Sequence, residues 1–318
     1  MPQPRLPQLA MASLLLMAAI WGSTFFLIKD LTTRVPVTDM LALRFALAAV
    51  VLVLALRGRL RLTRTLLLRG GALGLVYGAA QLLQTFGLAH TSASISGFVT
   101  GLYVVMTPLL GWLLLRQRVD GLTVLAVLLA TAGLGVLSLQ GFTVSLGASL
   151  TLASAALYAL HIVALGRWST GPDALTLTTV QVAVVALVCA PPALVDGVQL
   201  PAGGADWANL LYLAVVAGAL AMLLQTWAQS QVPATRAAVV MSMEPVFGAL
   251  FAVALGGESF TWRLSVGGLS ILAAMYLVEL GPVLRRRRGP PDLPAGHPGE
   301  VLPEPLEPRG GTGAGGGS

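Results

Sequence analysis

A carboxylate followed at once by a proline stands inside a long apolar run at Glu244-Pro245. In lipid such a group is costly unless it is paired, and polar residues there cluster at solute and proton pathways. Pro245 would remove a backbone donor and free a carbonyl one turn earlier, so the pair suits a kinked cavity wall or a proton site. A structural glutamate paired with an arginine or tyrosine is the other reading. Arg44 lies well inside another apolar run, after Met40-Leu41-Ala42-Leu43. It can hold an anionic group of a solute, snorkel, or neutralise Glu244. Gln84 and Gln225, with Gln81 and Gln229 about a turn away, put amides on single helix faces. Amides bind polar solutes without demanding charge, and they also bond helices together in lipid. Trp21, Tyr103, Tyr158 and His161 add aromatic and titratable surface. Tryptophan and tyrosine usually sit in interface belts, yet Trp21 and Tyr158 fall deeper than that. His161 titrates near neutral pH if solvated and otherwise serves packing.

These eight residues (Trp21, Arg44, Gln84, Tyr103, Tyr158, His161, Gln225 and Glu244) are the candidates for substrate binding. No catalytic constellation accompanies them. The chain has no Walker loop, no nucleophile elbow and no His-Glu metal pair. His90, His161 and His297 are far apart, and the single Cys189 lies in an apolar run, so neither a metal site nor a disulfide framework is expected. No cofactor is expected either.

The elements that must position these groups follow from composition. Apolar residues make up 56% of the 318, charged residues 10%, and mean hydropathy is +0.83. That composition belongs to the membrane class. The net charge of +6 does not point to nucleic acid, because the arginines lie between apolar runs and in the tail. A helix needs about 20 residues to cross the hydrocarbon. Ten such runs occur, at 9–28, 37–56, 70–88, 93–115, 122–139, 146–165, 174–195, 210–228, 234–256 and 264–280. Continuous apolar runs of this length favour helices over barrel strands. The first is read as a retained span, since Ala18-Ala19-Ile20-Trp21 is a poor cleavage context. Glu244 falls about ten residues into the ninth run.

Arg57, Arg59, Arg61, Arg64, Arg69, Arg116, Arg118, Arg167, Arg236 and Arg285 to Arg288 fall on one side of such a bundle, leaving Lys29, Arg34 and Arg263 on the other. The positive-inside rule then puts both termini in the cytoplasm of a multi-pass protein of the cell (inner) membrane. Residues 282–318, rich in arginine, proline and glycine, are expected to be a disordered cytoplasmic tail.

The chain also repeats itself. Leu82-Leu83-Gln84-Thr85 recurs as Leu223-Leu224-Gln225-Thr226, each followed by a run containing a proline, Pro108 or Pro245. The offsets are 225 − 84 = 141 for the glutamines and 245 − 108 = 137 for the prolines, and 158 − 21 = 137 pairs Trp21 with Tyr158. Five spans per copy is odd, so residues 141–281 must lie inverted relative to residues 1–140. The expected fold is all-α integral membrane, ten transmembrane helices as two inverted five-helix repeats. Such repeats place a solute site near the midplane between the halves. Gly70, Gly74 and Gly78, and Gly97 and Gly101, have the small-residue spacing that lets helices pack closely.

Trp21-Gly22-Ser23-Thr24-Phe25 with Lys29 and Leu43-Arg44-Phe45, and the stretch from Ala237 to Phe247 with Gly257-Glu258, resemble EamA-type permeases of the drug/metabolite transporter superfamily. The resemblance covers residues 9 to about 280. It implies export or exchange of metabolites, amino acids or toxic organic compounds. The first repeat departs from the pattern, with Arg116-Gln117-Arg118 in place of a Gly-Glu ending, so that acidic residue's role is kept only for Glu258. The expected activity is secondary transport by alternating access of a small-molecule substrate across a lipid bilayer, coupled to a proton or a counter-substrate. A membrane sensor or binding scaffold on the same fold is the competing reading.

Overall fold

The computed structural model describes residues 5–115, 121–140, 143–169, 173–195, 197–232 and 240–288. Among these, six helices are long and apolar enough to cross a membrane and four shorter apolar helices accompany them. In chain order the spans are Arg5–Leu31, Val37–Leu56, Arg64–Ala89, a broken fourth span of Ala93–Gly101 and Tyr103–Leu115, and Gly121–Ser138. The second set is Leu146–Trp168, Ala174–Leu194, an eighth span in three pieces, Glu244–Ala254 and Trp262–Arg288. Two-residue strands at Leu139–Gln140 and Thr143–Val144 pair at the junction of the sets. Hydroxyl caps start several spans where the chain enters the bundle: Thr63 accepts from Leu66 N–H, Ser92 from Ile95 and Ser145 from Ala148. Leucines and valines such as Leu54, Leu68 and Leu187 are exposed on the outer faces, as hydrocarbon-facing positions require.

The two sets pack with exchange symmetry. Span three packs on span six as span one packs on span eight; span three lies against span seven as span eight lies against span two. Spans two and seven, four and nine, and five and ten pack on each other directly. Exchanging one with six, two with seven and so on maps each of these pairs onto itself or onto another of them. Lipid offers helices no hydrophobic drive to associate, so contact depends on close fit. Span three supplies it with glycine. Side-chain carbons added at Gly70 and Gly74 would come within 2.7 Å of Val180 and Val184, and one at Gly78 within 3.1 Å of Val188.

Three expectations need correction. Span four is not one helix, because it breaks at Leu102. Pro245 does not lie within a continuous helix: Val240 and Met241 are helical, Ser242 and Met243 form a turn, and a helix begins again at Glu244 with the proline in its first turn. No intrahelical donor is lost at that position, which is why proline is favoured there. Residues 282–288, expected to be part of a disordered tail, continue the last helix, which runs to Arg288. Arg116-Gln117-Arg118, Arg236 and residues 289–318 lie outside the described residues.

Candidate functional site

The eighth span runs as an α-helix over Gly204–Leu211, a π-helix over Tyr212–Leu220 and an α-helix again over Ala221–Gln229. A π-helical stretch turns carbonyls away from their usual partners and often marks a functional segment. Two of its carbonyls are taken by side chains from the first repeat. Trp21 Nε1 donates to Ala217 O at 2.9 Å, and Arg44 Nε donates to Leu213 O at 3.1 Å. Ser23 and Tyr212 hydroxyls add a 2.8 Å bond beside them.

These bonds aim Trp21 and Arg44 at a cavity between the repeats. All eight residues singled out from the sequence line it: Trp21, Arg44, Gln84 and Tyr103 from the first repeat, Tyr158, His161, Gln225 and Glu244 from the second. Sequence reasoning did not single out Thr24, Phe25, Tyr77, Thr100, Ile162 and Met241, which line it too, and it named Gln81 only as a neighbour. Tyr77 could have been found, because it stands four residues before Gln81 and seven before Gln84 on the same face. The volume open to the centres of water-sized molecules is about 40 Å³, room for a few waters by the usual ~10–15 Å³ each.

Some lining groups satisfy one another. Tyr158 O–H donates to Gln84 Oε1 at 2.8 Å, and Gln84 Nε2 donates to Thr100 Oγ1 at 3.0 Å. His161 Nε2 meets Gln181 Oε1 at 2.7 Å, and its ring lies 5.0 Å from that of Tyr77. Tyr103 O–H donates to Glu244 Oε2 at 3.2 Å. The helix starts that carry this last pair, Tyr103 and Glu244, are offset by 244 − 103 = 141. The bond joins spans four and nine where the repeats cross.

Other lining groups are left over. Gln225, the counterpart of the fully bonded Gln84, makes no hydrogen bond to a described residue, and its Oε1 is buried without a partner. Gln81 Nε2 donates to Tyr77 Oη at 3.0 Å while its Oε1 has no partner. Arg44 is 3% exposed and Glu244 6%. The expectation that the two neutralise each other is not met: among the described residues no ion pair within 4.0 Å involves either. Gln229 does not line the cavity; it donates to Met241 Sδ.

A second polar cluster lies at the far ends of spans one, three and four. Lys29 Nζ donates to Leu88 O at 3.0 Å and Ala89 O at 3.1 Å, closing the carbonyl end of span three. The Glu258 carboxylate accepts Ala93 N–H at 2.5 Å and Ser94 N–H at 3.1 Å, capping span four. Its counterpart at the same offset, 258 − 141 = 117, is Gln117.

The sequence matches the model of the EamA-like transporter family twice, over residues 8–139 and 145–280. A protein of Archaeoglobus fulgidus described as an uncharacterized transporter is 31% identical over 268 residues, 84% of this chain and 84% of the relative. The uncharacterized transporter YetK of Bacillus subtilis is 25% identical over 288 residues, 85% of this chain and 87% of the relative. One solved crystal structure superposes with a TM-score of 0.65 over 87% of this chain and 98% of its own, at 19% identity. At that identity the likeness is one of fold.

Proposed function

Because the chain belongs to the EamA-like transporter family, we propose that it is a secondary transporter that moves a small polar or amphipathic solute by alternating access. The observation that carries this reading is a cavity lined by polar groups from both repeats, in which Gln81 Oε1 of one and Gln225 Oε1 of the other have no partner. Structural polar residues in lipid satisfy one another; Gln225 Oε1 and Gln81 Oε1 have no partner and Arg44 uses only its Nε, so this capacity is kept for something that comes and goes. Room for a few waters is far below the ~300 Å³ at which small-molecule sites begin. A solute therefore enters only as the repeats move apart. The breaks at Leu102 and at Ser242-Met243 are natural places for that movement, because each interrupts a span next to a cavity-lining residue, Tyr103 or Glu244.

In this proposal Glu244 is the coupling group. Its carboxyl starts the ninth helix, lines the cavity and holds the Tyr103 hydroxyl, so a change at Glu244 reaches the contact between the repeats. The protein lies in the cell membrane with both termini in the cytoplasm, and a proton or a counter-substrate is exchanged for the solute. The test is flux in proteoliposomes, with a solute chosen because it raises the protein's thermal stability. Wild type should show saturable flux that varies with pH. Glu244→Gln should fold and insert yet lose the pH dependence. A pH profile unchanged in the variant removes Glu244 from coupling, and binding without any flux favours the scaffold reading.

A further inference from the structure

No acidic residue occurs between Asp39 and Asp120, and five arginines crowd into positions 57–69 of that stretch. Arg57 and Arg59 belong to the turn that closes span two, where the carbonyl end of a helix favours a cation. Arg61 and Arg64 stand at the opposite kind of end. Span three begins at Arg64 with no acidic residue in its first turn, so this guanidinium adds to the positive pole of the helix. The backbone N–H of Arg61 donates to Thr176 Oγ1 at 3.0 Å, which fastens the loop to the start of span seven. Both arginines are exposed, and neither guanidinium has an ion pair or a hydrogen bond with a described residue. Asp173, three residues before Thr176, makes no ion pair with either.

Positive residues beside a span are ordinary; the leucines among these are not. In Arg59-Leu60-Arg61-Leu62-Thr63-Arg64 the loop residue Leu62 is 63% exposed. A loop held in water gains nothing from an exposed leucine, whereas one lying among lipid headgroups buries it in the acyl boundary. Arg64 also heads a lipid-facing stripe. Leu68 and Leu75 follow it on the same helix face, 64% and 57% exposed, while span three packs its other side on spans six and seven. At the neighbouring corner Trp168 is half-buried against the cluster that holds Leu66 and Leu165, as tryptophan sits at headgroup level, and the exposed Arg167 precedes it. Neither Arg61 nor Arg64 lines the cavity between the repeats.

A phosphate meets the arginine fork with two parallel bonds. A zwitterionic headgroup would bring its own cation up against the remaining arginines, and a free phosphate would leave the leucine stripe unused. We propose that the loop and the start of span three form a site for an anionic phospholipid, with Arg61 and Arg64 holding its phosphate and an acyl chain lying along Leu68 and Leu75.

The experiment uses the full chain, purified in a neutral detergent. It is titrated with phosphatidylglycerol, with phosphatidylcholine of the same acyl chains, and with glycerol 3-phosphate. Native mass spectrometry counts the lipid bound to folded protein, and thermal denaturation is followed beside it. The expected result is that phosphatidylglycerol raises the melting temperature and binds at least about tenfold more tightly than phosphatidylcholine. Arg61→Gln with Arg64→Gln weakens phosphatidylglycerol at least about tenfold, and Arg61→Lys with Arg64→Lys keeps part of the binding, because charge remains and the fork is lost. Arg287→Gln with Arg288→Gln removes the same charge at the end of the last helix and should weaken binding less than about threefold. Equal losses in the two glutamine pairs, or equal binding of the two lipids, would reduce the arginines to a general attraction for the membrane and overturn the site. Stabilisation by glycerol 3-phosphate equal to that by phosphatidylglycerol would overturn the lipid as its occupant.

Discussion

Gly22 marks the tightest approach between the first span and the helix that begins at Glu244. A β-carbon there would stand 2.6 Å from Phe247 Cβ, 2.8 Å from Gly248 N and 3.0 Å from Glu244 O. Carbon pairs rest at about 3.5–4.0 Å, so Gly22→Ala must move spans one and nine apart by about 1 Å. No rotamer change relieves this, because two of the three neighbours are backbone atoms. Overpacking of this kind costs ~1–3 kcal/mol. For a chain this long that is a fall in melting temperature of roughly 2–10 °C.

Two other glycines calibrate the effect. At Gly248 the added carbon meets the Phe25 ring edge at 3.2 Å, which a small ring movement relieves. At Gly97 its neighbours lie at 3.8 to 3.9 Å, ordinary contact. The series Gly97→Ala, Gly248→Ala and Gly22→Ala should therefore run from neutral through mild to severe in thermal denaturation of the purified protein. Flux per folded molecule should drop further in Gly22→Ala than in the others, since the displaced backbone carries Glu244. The reasoning is refuted if Gly22→Ala melts like wild type, or if Gly97→Ala is as damaging.

Glu258→Ala uncaps span four by removing the acceptor of two backbone N–H groups, and should cost ~1–2 kcal/mol in thermal denaturation. Glu258→Gln, which keeps one acceptor, should lose less; equal melting of all three proteins would end that account. Accessibility tags at residue 60 and residue 300 should be protected in intact cells, while one near Gly203 should be labelled from outside. Labelling of the residue 60 tag in intact cells would reverse the orientation.

The spans were legible because hydropathy and length together leave a membrane chain few choices. The predicted starts at Val37, Ala93, Leu146 and Ala174 are the starts of those helices. The breaks were not legible by the same means. A span window weighs side chains, and Leu102 and the stretch Tyr212–Leu220 are as apolar as any lipid-facing helix. In Tyr212–Leu220 two carbonyls are taken by partners far away in sequence, Trp21 and Arg44. Pro245 was visible but ambiguous. Proline removes one donor, and whether that breaks a helix or begins one depends on where the preceding turn falls. Polar candidates were readable by a simpler rule: a polar group in a span faces protein or a cavity. That rule found eight lining residues; Phe25, Ile162 and Met241 are apolar and carry no such mark, whereas Thr24, Tyr77 and Thr100 carry it and were passed over.

The repeat explains why the site is lopsided. Two identical halves related by a two-fold axis would bring like residues together where spans four and nine cross. A hydroxyl facing its own copy, or a carboxylate facing its own copy, makes a poor buried contact; a hydroxyl facing a carboxylate makes a good one. Fusion of the halves into one chain lets the two sides of that crossing differ, and here Tyr103 donates to Glu244. The same freedom separates the glutamines. Gln84 bonds Tyr158 and Thr100, which ties spans three, four and six together, while Gln225 lines the cavity with its Oε1 unpartnered. Gln84→Ala should therefore register first as lost thermal stability and Gln225→Ala first as lost solute affinity.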